Sequence, residues 1–306
     1  EAGRLAAGEA ERTARQGARI VTRFDPDYPP ALLDLALPPP VLYYQGTLPA
    51  EKGIAIVGSR RASGDGREAA ALFARAFSEA GLAVVSGFAR GIDAAAHRSA
   101  LDGGAGGTVA VLGCGLDVDY PRGHQALRRA ILDGGGALLS ELPCGTGPRP
   151  WSFPVRNRLI AALSVATLVV QAAPRSGSLI TARHALELGR EVWAVPGSIF
   201  DDRALGPNLL IRDGAAPALH PRDLLELLRL DRPAAAVPAT VELPEGLAGR
   251  IVAALPAGAP CPAEAIAAQV EASLDRVLGI LLELELEGWA RREPGPLFRR
   301  ATGPSG

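Results

Sequence analysis

A chain of 306 residues with 48% hydrophobic and 21% charged content is long enough for one large domain plus a small one, and apolar enough to fill both cores. Its net charge of −1 excludes a histone-like basic protein and its composition excludes global disorder, but a local basic patch is still allowed. Lys52 is the single lysine, so arginine carries less information here than usual, while the two asparagines, Asn157 and Asn208, carry more.

Residues 1–17 are rich in Ala, Arg and Glu and read as the remnant of an N-terminal helical region. The chain begins at Glu1 and contains no methionine, so a preceding segment is expected. A short strand follows over Ala18–Phe24, then the proline-rich Pro26–Pro30, a helix, the Pro38–Pro40 break and a strand at Val41–Tyr44.

From Ile54 a regular alternation sets in. Apolar runs at Ile54–Val57, Leu82–Val85, Thr108–Leu112, Ala137–Leu139, Thr167–Val170 and Glu191–Val195 predict strands. Helical patterns lie between them at Asp65–Ala80, Ile92–Leu101, Gly123–Leu132, Val155–Leu163 and Ser178–Leu188. Continuously apolar strands are buried on both faces, so these residues predict a doubly wound, mainly parallel sheet between two helix layers. Its ligand site is expected beyond the C-terminal ends of the strands. An Ala/Pro-rich linker is expected over 231–245. Three short helices (Gly246–Leu255, Pro262–Val270, Ser273–Glu287) and a hairpin turning at Glu293–Gly295 then predict a winged helix over 246–301.

The predicted strand ends carry similar loops. They are Gly58-Ser59-Arg60, Ser86-Gly87 leading to Arg90-Gly91, Gly113-Cys-Gly115, and Arg175-Ser176-Gly177-Ser178 with Thr181 one turn on. Glycine lets backbone approach a ligand, and hydroxyls and free N–H groups at helix starts bind phosphate oxygens. One such loop is ordinary turn chemistry; four on one rim predict an anion-binding crevice. Phe153-Pro-Val-Arg156-Asn157-Arg158, with Trp151 just before it, is expected at the mouth of a helix on that rim. Aromatic rings stack bases and guanidinium groups neutralise phosphates, so the combination points to single-stranded nucleic acid.

Walker A, GxSxG and HExxH patterns are absent, and Gly113-x-Gly115 lacks the third glycine of a dinucleotide fingerprint. The three cysteines are far apart and the four histidines scattered, so no metal site and no cofactor are expected. His97 is the best candidate among the histidines because it shares a helix face with Asp93. Asp93 and Glu141 are expected to pair with rim arginines. With no apolar run of 18 residues, a cytoplasmic location away from membranes is expected.

These motifs resemble the DprA/Smf family. The resemblance rests on Ile54–Arg60, Ser86–Asp93 with His97, Gly113–Asp117 with Tyr120-Pro121, Ser140-Glu141, Phe153–Arg158, Ser176–Thr181, and Val195–Gly197 with Gly206-Pro-Asn208. It covers roughly residues 20–220 and implies an extended Rossmann domain over 18–230. The resemblance implies a non-enzymatic dimer that binds and protects incoming single-stranded DNA and helps load the RecA recombinase during natural transformation. Arg60 matches the family arginine that contacts DNA at the end of the first strand, and Phe153, Arg156 and Arg158 match the aromatic-basic loop around the same pocket. Phe88 stands where methionine is more usual, and Arg149 stands in for a lysine near the aromatic loop.

Two other readings remain. Ser176–Thr181 with Glu187 echoes enzymes that cleave nucleotide N-glycosides. The winged helix suggests a transcription regulator, but Glu283, Glu285 and Glu287 on its third helix would repel duplex phosphates, which favours a protein partner for that domain.

Overall fold

The computed structural model describes residues 2–228, 244, 246–256, 260–293 and 295–301. The chain divides into two compact units, Glu1–Arg232 and Pro233–Gly306. Nearly all of the linker expected at 231–245 lies outside the described residues.

In the first unit, α1 (Ala2–Arg15) leads to a hairpin of β1 (Arg19–Thr22) and β2 (Val41–Gly46), with a short 3-10 helix at Pro30–Asp34 between them. The helix α1 is anchored, since the Cys144 N–H donates to the Glu9 carboxylate at 2.8 Å. Five β–α pairs follow: β3 (Gly53–Val57) and α2 (Gly64–Glu79), β4 (Val84–Ser86) and α3 (Ile92–Gly103), β5 (Thr108–Val111) and α4 (Gln125–Asp133), β6 (Ala137–Ser140) and α5 (Ser152–Ala162), β7 (Ser164–Val169) and α6 (Ser178–Glu187). Next come β8 (Glu191–Ala194), α7 (Asp202–Arg212), the two-residue β9 (Ala216–Pro217) and α8 (Pro221–Leu227).

The sheet runs β1-β2-β6-β5-β4-β3-β7-β8-β9, parallel from β6 to β9 and extended at one edge by the antiparallel hairpin. Alternate residues of one strand feed two cores, as period-2 geometry requires. Ile54 and Ile56 pack with Phe73 and Phe77 of α2 on one face, while Ala55 and Val57 pack with Leu159 and Ile160 of α5 on the other. This is the doubly wound, mainly parallel α/β fold that the continuous apolar runs predict.

Helix α7 was not expected from sequence, because Gly206-Pro207 reads as a break. Pro207 sits inside the helix and lacks the N–H that would bond Arg203. The freed Arg203 carbonyl instead accepts from the Ala172 N–H at 2.6 Å, and the Gly206 N–H donates back to the Ala172 carbonyl at 2.8 Å. The proline therefore exchanges one helical bond for a tie to the segment just beyond β7.

The second unit contains α9 (Gly246–Ala254), β10 (Cys261–Pro262), α10 (Ala263–Gln269), α11 (Leu274–Leu286), β11 (Ala290–Glu293) and β12 (Leu297–Arg300). Its strands order as β10-β12-β11, a winged helix with its own core built around Val277, Leu281, Trp289 and Phe298. The short β10 was not expected, since two residues carry no readable periodicity.

A Cβ at Gly206 would lie 2.4 Å from the Ala172 carbonyl oxygen, whereas one at Gly147 meets nothing within 4 Å. Gly206→Ala is therefore expected to destabilise by about 2 kcal/mol or more, and Gly147→Ala to stay within about 0.5 kcal/mol of wild type. Urea titration of the two proteins compares them.

Candidate nucleic-acid interface

Successive crossovers run outward from β3 to β6, then return to place β7 on the other side of β3. The loops after β3 and β7 diverge at that switch point and leave a crevice beyond the strand ends. A cleft of about 840 Å³ opens there. Gly58, Ser59 and Arg60 after β3 line it, as do Arg175, Ser176, Gly177, Ser178 and Thr181 after β7. Arg149 and the inward face of α5 complete it.

The Phe153–Arg158 stretch was expected at the mouth of a helix over Val155–Leu163, and α5 begins three residues earlier, at Ser152. A proline is tolerated in a first helical turn, so Pro154 does not delay the start. The Ser152 hydroxyl donates to the Gly113 carbonyl at 2.6 Å and pins that turn to the end of the neighbouring strand β5. Helical spacing then places Phe153, Arg156, Asn157 and Ile160 on one face, and all four line the cleft.

The same spacing corrects two expectations. Arg158 falls well around the helix from Phe153, lines neither cleft and forms an ion pair with Glu141. Trp151 precedes the helix, is 56% exposed and also lines neither cleft. Glu141 thus has its rim arginine, while Asp93 lies beside Arg156 without a direct ion pair.

Arg156 is 5% exposed and was expected as an exposed phosphate fork. Its Nη1 donates to the Gly87 carbonyl at 2.8 Å and to that of Val111, and its Nε donates to the Asn157 Oδ1 at 3.3 Å. Burial pulls its pKa down to about 10, and it remains a cation at neutral pH. Asp93 approaches from the other side of Gly87, where a Cβ would lie 2.7 Å from Arg156 Nη2 and 2.8 Å from Asp93 Oδ2. Burial raises the Asp93 pKa, and the Arg156 charge opposes that rise. Arg156 is thus a charged floor of the crevice.

Above that floor, the exposed Arg60 holds its guanidinium carbon 5.1 Å from the centre of the Phe153 ring. Tyr120 places its own ring 5.3 Å from Phe153. A second cleft of about 640 Å³ lies against the same side chains, and Gly87 and Arg90 line it. Gly91 lines neither cleft. It caps α3 at φ +79°, and a Cβ there would lie 2.2 Å from the Ser59 carbonyl, so its role is to let the Arg60 loop pack closely. Asn157 donates through Nδ2 to the Gly177 carbonyl at 2.9 Å and fixes the loop after β7. The first N–H groups of α6 were expected to be open to anions. Those of Leu179 and Ile180 instead bond Ser176 and Gly177 carbonyls, so the polar lining there is hydroxyl and arginine side chains.

Tyr120, Arg61 and Arg175 also line the first cleft, although none of them was among the expected site residues. Arg175 opens a loop already singled out, and abundant arginine concealed it. His97 is not part of the site. It is fully buried, bonds Thr108 Oγ1 at 2.7 Å, and burial lowers its pKa to about 3. Glu187 is exposed, pairs with His184 and lines neither cleft. Among the described residues, no three His, Cys, Asp or Glu side chains converge in a group able to hold a metal ion, and no helix is long and apolar enough to cross a membrane.

A family model described as DNA recombination-mediator protein A matches residues 19–229, and one described as the DprA winged helix domain matches residues 232–296. The chain is 40% identical over 280 residues to Protein Smf of Escherichia coli, covering 89% of this chain and 75% of that protein. It is 42% identical over 203 residues to the DNA processing protein DprA of Streptococcus pneumoniae, covering 66% of this chain and 71% of that protein. The X-ray structure of the pneumococcal protein superposes with a TM-score of 0.64 over 68% of this chain and 73% of that one. A DNA processing protein A from Helicobacter pylori, described for its single-stranded DNA binding mode, superposes with a TM-score of 0.62 at 28% identity. That match covers 70% of this chain and 96% of the other.

Two measurements probe this geometry. A Cβ at Gly113 would lie 2.8 Å from the Phe153 ring, so Gly113→Ala is expected to displace that ring and change the Tyr120–Phe153 contact, visible in a crystal structure of the variant. His97 has a folded pKa below its unfolded value near 6.5, so the unfolded chain takes up its proton first and acid favours unfolding. Its share of stability, present above pH 6.5, is expected to fall by up to about 1.4 kcal/mol per unit as the pH drops toward 4. In urea titrations at stepped pH, His97→Gln lacks that share.

Proposed function

The chain belongs to the DprA/Smf family of DNA recombination mediators, and we propose that it binds single-stranded DNA in the crevice at the switch point of its sheet. The observation that carries this reading is the Phe153 ring, backed by Gly113, flanked by Tyr120 and overlaid by Arg60, above the buried Arg156 cation. Arg60, Arg61, Arg149 and Arg175 offer charge to phosphates, and the rings offer stacking surfaces to bases that need no particular sequence.

The mechanism is binding without bond-breaking. Asp93 is the one carboxylate lining the first cleft, buried beside a cation, and Glu187 lies elsewhere, which argues against the N-glycoside-cleaving alternative. We extend the reading to protection of incoming DNA and delivery to the RecA recombinase in the cytoplasm, by a homodimer, on the strength of family membership.

In this proposal residues 18–230 are the DNA-binding domain, and residues 231–245 link them to a partner-binding winged helix at 246–301. The outward face of α11 shows exposed Leu278, Leu282 and Leu286 beside Glu283 and Glu287. An apolar and acidic face of this kind is unsuited to duplex phosphates and suited to a protein.

Arg60→Ala is expected to weaken oligo-dT binding and lower the salt slope by about 0.7. Phe153→Ala is expected to cost about 1–3 kcal/mol of binding through lost stacking. Arg158→Gln, outside the cleft, leaves the salt slope unchanged. Fluorescence titrations over a salt series decide the matter: an Arg60→Ala protein that matches wild type throughout removes the crevice from consideration, and tighter binding to duplex than to single strands favours a transcription regulator.

A further inference from the structure

Helix α11 breaks two local rules that nothing inside its own unit repairs. Gly279 lies in the middle of the helix, exposed and without a positive φ, and a Cβ there would meet nothing within 4 Å. Glycine weakens a helix interior relative to alanine, and no neighbour in the winged helix requires its small size. Glu283, Glu285 and Glu287 gather at the last turn and its cap, where the helix dipole disfavours negative charge and no basic residue offsets them. Their carboxylates and that of Asp275 have no hydrogen bond or ion pair among the described residues. Both features adjoin the exposed Leu278, Leu282 and Leu286. A spacing of four residues sets these leucines in one ridge, and Asp275, Gly279 and Glu283 run beside it at spacings of three and four. The buried Val277, Leu281 and Leu284 point the other way, into the core of the unit.

We propose that this face of α11 docks a basic amphipathic helix of a partner protein, with Gly279 at the point of closest approach. The proposal rests on the reading of the winged helix as a protein-binding domain and adds the partner's secondary structure and charge. Side chains four residues apart form ridges that pack into the grooves of a second helix. A missing side chain beside such a ridge lets the two axes come closer, which accounts for a glycine that the isolated unit does not need. Charge selects among helices. Arg276 is the only basic residue of α11, against the carboxylates of Asp275, Glu283 and Glu285 within it and Glu287 at its cap. A second copy of the chain would set those carboxylates against one another, and duplex phosphates would meet the same repulsion. Arginines or lysines bordering an apolar ridge instead find an unpaired carboxylate on either side. The leucines contribute affinity through buried area, and the carboxylates fix the partner's sign and register.

The test titrates the full chain with two synthetic peptides of about 18 residues, long enough to be helical. Both carry leucines four residues apart, bordered by arginines in one and by glutamates in the other. Wild type is expected to bind the basic peptide, more weakly as salt rises, and to ignore the acidic one. Leu282→Ser is expected to weaken the basic peptide at least about tenfold. Gly279→Gln separates docking from folding. Its better helix propensity is expected to leave the melting temperature equal or higher, while its side chain fills the gap and weakens the peptide at least about tenfold. Undiminished peptide binding by Gly279→Gln, or a lowered melting temperature, overturns the proposal. Preference for the acidic peptide overturns it too and leaves the protein-binding reading standing. Wild type that binds neither peptide also overturns it. A dimer that Leu282→Ser dissociates would then give the face to a second copy, whereas duplex binding that Leu282→Ser abolishes would remove the protein-binding reading as well.

Discussion

A buried guanidinium holds the crevice together. Taking Arg156 out of water costs several kcal/mol, and nothing would recover that cost if its donors were left unmet. They are met by carbonyls at the ends of two neighbouring strands, Gly87 beyond β4 and Val111 on β5, with Asp93 close by as counter-charge. The arrangement joins α5 to the C-terminal ends of β4 and β5. It also places a permanent cation under the ring partition, and Gly87 must be glycine because a Cβ would fall between the two charges. Position and electrostatics of the site therefore come from the same group.

The other rim loops are set by comparable backbone devices. Asn157 ties α5 to the Gly177 carbonyl, and Asn208 clamps Gly197 at both its N–H and its carbonyl, at 3.1 and 2.9 Å. Pro207 frees a carbonyl that captures Ala172. In a composition that makes little use of asparagine, both copies use donor and acceptor together: Asn208 grips Gly197 with both, while Asn157 holds the Gly177 carbonyl with one and accepts from Arg156 Nε with the other. The rigid rim allows two clefts to share one aromatic wall.

Much of this was legible before the structure. The parallel sheet follows from apolar runs with no polar alternation, and the crevice from glycine-bearing loops repeated at four of the strand ends. Less legible were elements whose local signals contradict their context. Gly206-Pro207 reads as a stop yet lies inside α7, because a partner outside the helix takes the orphaned carbonyl. Pro154 reads as a boundary yet sits in a first turn, where the missing N–H costs nothing. The two-residue β9 and β10 are too short to carry any period.

Residue types and their order along the chain are sequence properties, so the fold class, the aromatic-basic character of Phe153–Arg158 and the family were determined there. Which of those neighbours meet is decided by helical rotation and by burial. Phe153, Arg156 and Asn157 turn toward the crevice, Arg158 turns away to Glu141, and Trp151 stays outside. Tyr120 joins the wall from a loop more than thirty residues away in sequence. Arg156 and Arg60 are indistinguishable as letters. Only the packed structure makes one a desolvated floor and the other an exposed fork, because the solvation of a charge depends on everything folded around it.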